Sequence, residues 1–281
     1  MSTAPHHVIF GTGAIGLATL DALRRRGERV RMVNRNGSAP VPDDVEVVGG
    51  NAADPAFTTD VARGARVVYQ TLNPPYAQWL ELFPALQAGV LAAAEAGGAR
   101  LVSMENVYMY GRPAGQPLTE NRAYAAHTRK GRLRAAMARE LLAAHEAGRV
   151  VVAIGRASDY FGPRGGVQSN LGDRVVPAAL SGRTATVLGD ADQPHTYTYI
   201  PDIGEGLAVL GERRRLPVRH RSNAHLSGSE GLLSPAARSA GERRRTALSR
   251  AVRICRAFDP AGGLNALQIR KEIAYCFFLG R

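Results

Sequence analysis

Residues Val8–Gly16 have the sequence Val-Ile-Phe-Gly-Thr-Gly-Ala-Ile-Gly, in which three β-forming side chains precede glycines with the spacing G-x-G-x-x-G. The run His7–Phe10 predicts a strand, and the apolar positions of Ala14–Arg26 predict a helix that ends at Gly27. The glycines therefore occupy the turn between a strand and a helix. In that setting the spacing is typical of a loop that binds the diphosphate of a nicotinamide dinucleotide.

Each glycine of this turn has its own mechanical task. Gly11 allows the tight turn, Gly13 lets the backbone approach the diphosphate, and Gly16 lets the helix pack closely on the strand. The helix that follows offers free N–H groups and a positive dipole end to the phosphates. Glycines between a strand and a helix also serve plain packing, but the context favours cofactor binding. The residues predicted to hold the diphosphate are Gly11, Thr12, Gly13, Ala14, Ile15 and Gly16.

The end of the second predicted strand, Val33-Asn34-Arg35, bears on the choice of dinucleotide. Domains that prefer NAD usually place an acid here, about 20 residues past the glycines, on the ribose 2′-hydroxyl. Asn34 lies 18 residues after Gly16, so no carboxylate repels a 2′-phosphate, and Arg35 could pair with one. The alternative is that Arg35 is a solvated loop residue. We expect Asn34 and Arg35 to contact the cofactor, with NADP weakly preferred over NAD.

Short β-rich apolar runs alternate with longer runs of helical periodicity over the first two-thirds of the chain. This alternation is typical of a parallel sheet covered by helices, and it predicts a Rossmann-type doubly wound α/β fold. The further strands predicted are Arg29–Val33, Val45–Val48, Arg66–Thr71, Leu101–Ser103 and Val150–Ile154, and the further helices are Gln78–Ala96 and Thr128–Ala147. Residues 1–155 are accordingly expected to form the dinucleotide-binding domain.

Residues 156–211 are expected to form a small, incomplete substrate-side subdomain. Its predicted elements are helices at Val175–Ser181 and Asp202–Leu210 and strands at Ala185–Leu188 and Thr196–Ile200. From about Glu212 the periodicity fades, and clusters such as Arg213–Arg215 and Arg243–Arg245 stand in Ser/Ala/Gly-rich sequence. Residues 212–281 are therefore expected to be a basic, partly disordered tail.

Composition and charge limit the classes of function. The chain has 281 residues, a net charge of +12 and two cysteines. Fifteen of the 36 Lys and Arg residues, but only five of the 24 Asp and Glu residues, lie in 212–281, so this segment carries +10 of the net charge. Its arginines lack interleaved aromatic residues, which disfavours nucleic-acid binding. No metal-ligand spacing, export signal or apolar stretch of membrane-spanning length is evident, so we predict a cytoplasmic protein without a bound metal.

Four further motifs follow the glycine turn. Their occurrence together and in this order is much more specific for a family than any one of them alone. With them, the chain from about His7 to Leu210 resembles the extended and atypical short-chain dehydrogenase/reductases, the NAD-dependent epimerase/dehydratase group. The motifs are Ser103…Val107-Tyr108…Gly111, Thr119-Glu120 before the Lys130 helix, Arg156…Tyr160-Phe161-Gly162-Pro163, and Thr198-Tyr199-Ile200-Pro201-Asp202-Ile203. The resemblance implies an NAD(P)-dependent oxidoreductase that acts on a small polar metabolite such as a nucleotide sugar.

The resemblance also implies a catalytic set, a Tyr-x-x-x-Lys pair with a Ser or Thr. In that set the lysine lowers the pKa of the tyrosine and holds the nicotinamide ribose, so that the phenolate can act as base. Lys130 matches the lysine, but the residue four before it is Ala126. The Ser/Thr position is Met104, with Ser103 one residue away. The catalytic set is therefore incomplete.

Three interpretations of this gap remain open. Tyr108 or Tyr110 replaces the missing base, Tyr124 reaches the site from a loop, or the domain binds the dinucleotide as a non-catalytic sensor or regulator. Packing is the alternative role of Tyr108 and Tyr110, and solvation is the alternative for Lys130. The predicted catalytic residues are Tyr108, Lys130 and Ser103, and the further cofactor contacts are Lys130 and Asn73, which follows the fourth strand.

Overall fold

A computed structural model of the chain describes residues 6–113, 118–172, 175–181, 195–212 and 277–280. These residues fall into two compact units. The first unit contains the described residues up to Ala157, together with Ile200–Glu212 and Phe277–Gly280. The second unit contains the described residues from Ser158 to Tyr199. The helix at the end of the predicted substrate-side segment thus groups with the first unit.

The strands among the described residues define a Rossmann-type sheet. They are β1 (His7–Phe10), β2 (Val30–Asn34), β3 (Glu46–Gly49), β4 (Val67–Gln70), β5 (Arg100–Glu105), β6 (Val152–Ala157), β7 (Asp159–Phe161), β8 (Tyr197–Tyr199) and β9 (Phe277–Gly280). The first unit has the order β3-β2-β1-β4-β5-β6-β9, and all neighbours are parallel except β9, which is antiparallel to β6. The predicted doubly wound fold is confirmed.

Helices connect most of the parallel strands, whereas residues 35–45 join β2 to β3 without a helix. They are α1 (Ala14–Arg25), α2 (Pro55–Val61), α3 (Trp79–Gly97), α4 (Arg129–Glu146), α5 (Val176–Leu180) and α6 (Ile200–Glu212). In the first unit α1 packs against α6 and α2 packs against α3. Gly204 permits the first contact, because a Cβ there would lie 2.4 Å from the backbone of Ala18.

The central strands are buried because parallel sheets are covered on both faces. All four residues of β1 and all four of β4 are buried. Since β1, β4 and β5 are parallel neighbours, the loops that follow them meet at the carboxyl edge of the sheet. Opposite these loops, α4 begins at Arg129, and its N-cap is Thr128, whose hydroxyl accepts a hydrogen bond from the Gly131 amide at 2.9 Å. This edge carries most of the predicted site residues.

In the second unit, strands β7 and β8 form a parallel pair. The hydroxyls of Ser158 and Thr198 lie 3.0 Å apart, and Asp159 is paired with His195 at 2.7 Å. The predicted helix at Val175–Ser181 is present as α5.

Several predictions concern residues beyond the described ranges. The predicted strand Ala185–Leu188 lies outside them, as does the predicted tail apart from Glu212 and Phe277–Gly280. Phe277–Gly280 forms β9, a strand that was not predicted from the sequence.

The helix predicted at Asp202–Leu210 is present as α6, which is longer at both ends and begins at Ile200. Across the described parts of the chain, no helix has the length and apolar character needed to cross a membrane.

Candidate active site

The glycine turn after β1 is tightly packed at two of its three glycines. Gly11 has φ +114°, and a Cβ there would lie 2.6 Å from Oγ1 of Thr71. A Cβ at Gly16 would lie 2.0 Å from the carbonyl oxygen of Gly11. Both positions therefore require glycine because of the protein's own backbone.

Gly13 stands in open space. A Cβ there would meet no described atom within 4 Å, and no described side chain caps the N-terminus of α1, which begins at the next residue. The turn thus leaves room beside the backbone, directly before a helix N-terminus. This is the arrangement that a diphosphate requires, so the residues present, with Thr12, Ala14 and Ile15 between the glycines, fit a dinucleotide.

Asn34, at the end of β2, is engaged in shaping the neighbouring turns. Its side-chain amide donates to Oγ1 of Thr12 at 2.9 Å and to the carbonyl oxygen of Ser38 at 2.7 Å. Its side-chain oxygen accepts from the amides of Asn36 and Gly37. Asn34 therefore ties the β2 end to the glycine turn. Arg35, the next residue, is exposed.

A pocket of about 600 Å³ lies where the loops after β4 and β5 meet the start of α4. Two predicted site residues, Tyr108 and Lys130, line it. The other described lining residues are Tyr76, Ala77, Leu80, Val107, Gly111, Leu118, His127, Thr128 and Arg129. The ammonium of Lys130 lies 3.3 Å from the centroid of the Tyr76 ring. The structure thus brings Tyr108 and Lys130 to one pocket at the carboxyl edge of the sheet.

Ser103 and Asn73 have different surroundings from these two residues. Ser103 is fully buried within β5, where the side-chain amide of Gln70 donates to its hydroxyl at 3.4 Å. Asn73 is exposed in the loop after β4. Neither belongs to the described lining of the pocket, so the catalytic role of Ser103 and the cofactor contact of Asn73 stay predictions.

Tyr110 and Tyr124, the alternative bases, both hydrogen-bond to Arg156. Its guanidinium donates to the hydroxyl of Tyr110 at 3.0 Å and to that of Tyr124. Burial raises the pKa of both phenols, and the charge of Arg156 opposes that shift only in part. Neither tyrosine is among the described residues that line the pocket. Of the three tyrosines considered from the sequence, Tyr108 is the one that faces it, and its side chain is 38% exposed.

Three charged residues of the first unit are almost fully buried. Glu105, Arg134 and Arg156 come from β5, α4 and β6, and each is at most 2% exposed. Arg156 Nε lies 3.6 Å from a carboxylate oxygen of Glu105, an ion pair rather than a hydrogen bond. Burial raises the pKa of Glu105, although the two guanidinium groups oppose the shift. No local sequence pattern indicates this cluster, because its members are far apart along the chain.

The segment Asn73-Pro74-Pro75-Tyr76 ends the fourth predicted strand, and the structure places its last residue, Tyr76, in the lining of the pocket. His127 is a lining residue that was not predicted from the sequence. Its position within the four residues before Lys130 was a usable signal. Within the described ranges, no three or more His, Cys, Asp or Glu residues form a group suited to a metal ion.

Comparison with known proteins gives a family match over most of the chain. The model of the NAD dependent epimerase/dehydratase family matches residues 8–223. MoeE5 in complex with UDP-glucose and NAD is a similar solved structure, with 21% identity, a TM-score of 0.63, and coverage of 74% of this chain and 72% of that chain. A search of curated proteins gave no significant match.

Two other solved structures are similar in fold. DesIV, a dTDP-glucose 4,6-dehydratase from Streptomyces venezuelae with NAD and TYD bound, has 18% identity, a TM-score of 0.63, and coverage of 73% and 71% of the two chains. A UDP-glucuronic acid 4-epimerase from Bacillus cereus, in complex with UDP-glucuronic acid and NAD, has 16% identity, a TM-score of 0.63, and coverage of 74% of each. At these identities the likeness establishes the fold.

Proposed function

This chain belongs to the NAD-dependent epimerase/dehydratase family, and from that premise we propose that it is an NAD(P)-dependent oxidoreductase acting on a small polar metabolite of the nucleotide-sugar type. One observation carries the proposal: Tyr108 and Lys130 line a common pocket at the edge of the sheet where the open glycine turn also lies. In open α/β sheets, ligands bind at this carboxyl edge.

The residues of the pocket have distinct proposed roles. Lys130 donates hydrogen bonds to the nicotinamide ribose hydroxyls, and Tyr108 moves a proton to or from the substrate as acid/base. A bound nicotinamide dinucleotide supplies hydride transfer. Arg129 and Lys130 add positive charge, and no acidic residue is among the described lining residues. This charge balance favours a substrate that carries an anionic group.

The dinucleotide is proposed to be NADP in preference to NAD. The support is the absence of a carboxylate at Asn34 and the exposed guanidinium of Arg35 beside it. We expect Arg35→Asp to weaken NADP binding by about 1–3 kcal/mol and to leave NAD binding nearly unchanged. Titration of both dinucleotides measures this. Equal effects on the two would mean that Arg35 does not recognise the 2′-phosphate.

The catalytic assignment is tested by turnover of UDP-glucose, UDP-glucuronic acid and dTDP-glucose, followed at the nicotinamide absorbance or by product analysis. Tyr108→Phe should lower kcat by about 10²–10⁴-fold with little change in dinucleotide affinity. Lys130→Ala should lower kcat and should also weaken dinucleotide binding. Leu82→Ala is the control, because Leu82 is 40% exposed and is not among the described pocket residues. Wild-type turnover by Tyr108→Phe would remove Tyr108 from the mechanism.

A second candidate is a non-catalytic dinucleotide-binding sensor. It is favoured by Ala126, which stands where the family has its tyrosine, and by the engagement of Tyr110 and Tyr124 with Arg156. For a sensor we expect dinucleotide binding without turnover of any substrate, and Lys130→Ala alone would lose affinity. Turnover by the wild-type protein would exclude this function.

A further inference from the structure

Lys130 and Tyr76 come from different elements and meet in the pocket. We propose that Tyr76 is a positioning residue, whose ring face holds the Lys130 ammonium in the pocket. This inference rests on the proposed function, in which Lys130 binds the dinucleotide. Tyr76 then provides, from the loop after β4, an aromatic partner for Lys130, which has Ala126 four residues before it where the family has its tyrosine.

The contact between the two side chains is close. The Lys130 ammonium lies 3.3 Å from the centroid of the Tyr76 ring, well within the range of about 6 Å over which a cation is attracted to an aromatic face. The Tyr76 side chain is 55% exposed, and Lys130 is half-buried. The ring therefore screens one side of the ammonium from water while the pocket remains open to a ligand.

The Tyr76 ring is supported by Trp79. Their ring centroids are 5.0 Å apart in an edge-on arrangement. Trp79 is buried, and its indole N–H donates to the carbonyl oxygen of Pro74 at 3.0 Å. Because Pro74 and Pro75 have restricted φ angles, the loop that carries Tyr76 has little freedom. The backbone that carries the ring is thus constrained, and the ring itself contacts Trp79 on one side and the Lys130 ammonium on its face.

One face of α4 repeats the same kind of contact. Lys130 and Arg134 are four residues apart and lie on one side of the helix. The guanidinium carbon of Arg134 lies 4.4 Å from the centroid of Phe83, a ring that also contacts Trp79. Two cations of α4 therefore cover a row of rings formed by Tyr76, Trp79 and Phe83. Arg134 is buried at the inner end of the row, and Lys130 meets the pocket at the outer end.

The type of cation also fits this role. The sequence has 34 arginines and only two lysines, Lys130 and Lys271. An ammonium is a compact charge with three donors, so it can rest on a ring and still donate to ligand hydroxyls, whereas a guanidinium stacks flat. The ring face fixes the position of the charge without using its donors.

The scarcity of lysine allows a direct test of the contact. Reductive methylation with ¹³C-formaldehyde labels both lysines and the terminal amine, and Lys130→Arg assigns the Lys130 signal. Over the face of Tyr76 these methyls should be shifted upfield by the ring current. We expect the shift to be lost in Tyr76→Leu and retained in Tyr76→Phe and in the control Leu82→Ala. A Lys130 signal that is the same in Tyr76→Leu as in the wild type would overturn the contact.

Dinucleotide titration then tests the positioning role. Tyr76→Leu should weaken binding by about 3- to 10-fold, and Tyr76→Phe, which keeps the ring face, should restore most of the affinity. In the Lys130→Ala background, Tyr76→Leu should have no further effect, because the ring acts through the lysine. Equal losses in the Leu and Phe variants, or additive losses in the double variant, would overturn the proposal. A wild type that binds no dinucleotide would instead refute the proposed function, and the methyl signal would still decide the contact.

Discussion

Gly11, Gly13 and Gly16 are identical residues in different surroundings. The fold requires glycine at position 11 because its φ is positive. It requires glycine at position 16 because another part of the backbone lies too close for a Cβ. Gly13 has φ −75° and ψ −176°, an extended conformation that any residue adopts, and a Cβ there meets no described atom within 4 Å. The fold does not require glycine at position 13, so the approach of a ligand is the physical reason that remains.

This difference predicts separable effects of two substitutions. Gly13→Val should abolish dinucleotide binding and change the free energy of unfolding by less than about 1 kcal/mol. Gly16→Ala, the matched control, should destabilise the fold by about 1–3 kcal/mol, because its Cβ collides with the backbone. Binding isotherms and urea unfolding measure the two effects. An unchanged isotherm for Gly13→Val would contradict the diphosphate assignment.

His7 predicts a pH dependence of stability. It is buried in β1, between the hydroxyl of Tyr69 at 3.1 Å and the carboxylate of Glu28 at 3.2 Å. Burial lowers the pKa of His7 below its ordinary value of 6.5, although Glu28 opposes the shift. The unfolded chain therefore binds the proton more readily than the folded one. The preference of the folded state for neutral His7 therefore stabilises the fold. This contribution is complete above pH 6.5 and is lost as the pH falls from 6.5 through the pKa that His7 has in the folded state.

His7→Gln removes this titration and keeps a polar side chain. We expect the free energy of unfolding to fall less between about pH 7 and pH 5.5 in this variant than in the wild type. Glu28 does not titrate between these two pH values. Burial alone would raise the pKa of Glu28, but a hydrogen bond with His6 holds that pKa below 4.5. Urea unfolding at the two pH values measures the difference. Parallel losses in both proteins would show that His7 does not titrate in this range.

At the scale of elements, β5, β6 and α4 are joined by buried charge. Among the described residues, Glu105 is the only acidic member of the cluster with Arg134 and Arg156, so replacing it with an isosteric neutral residue removes the anion that faces these two buried guanidinium groups. Glu105→Gln should therefore destabilise the fold by about 3–5 kcal/mol. Glu46→Gln, which breaks an exposed pair with Arg31, should cost less than about 1 kcal/mol. Equal stabilities of the two variants would refute the role of the cluster.

The sequence predicts elements well where the information is local. The predicted helix Thr128–Ala147 corresponds to α4 because its periodicity spans several turns. The seven-residue α2 was missed, since it is too short for periodicity, although Asp54 as N-cap and Pro55 in the first turn were local indications of a helix start. The burial of Arg134 and the contact of Tyr76 with Lys130 depend on partners more than 20 residues away. No local pattern contains that information.

At the scale of the whole molecule, the strand order concentrates the candidate site at one position. The order reverses between β1 and β4, and in doubly wound sheets a ligand crevice opens at such a reversal. The glycine turn follows β1, and the pocket begins in the loop after β4. The alternation of strands and helices predicts this fold class. It cannot predict which side chains meet in the crevice, because the loops determine that.

Dinucleotide binding should therefore stabilise the folded first unit as a whole. A ligand that binds the folded state alone adds ~2.7 kcal/mol at 100 times its Kd. For a unit of this size that corresponds to a rise in Tm of roughly 5–10 °C.

The net charge of +12, of which +10 lies in residues 212–281, provides a competing cause of such a rise, since any polyanion can bind such a segment. The two causes differ in their response to salt and to mutation. The shift caused by a dinucleotide in the glycine turn should persist in about 0.5 M salt, where the attraction of exposed charges is screened, and should be absent in Gly13→Val. A shift that is equal in Gly13→Val and disappears in high salt would assign the binding to the basic segment instead.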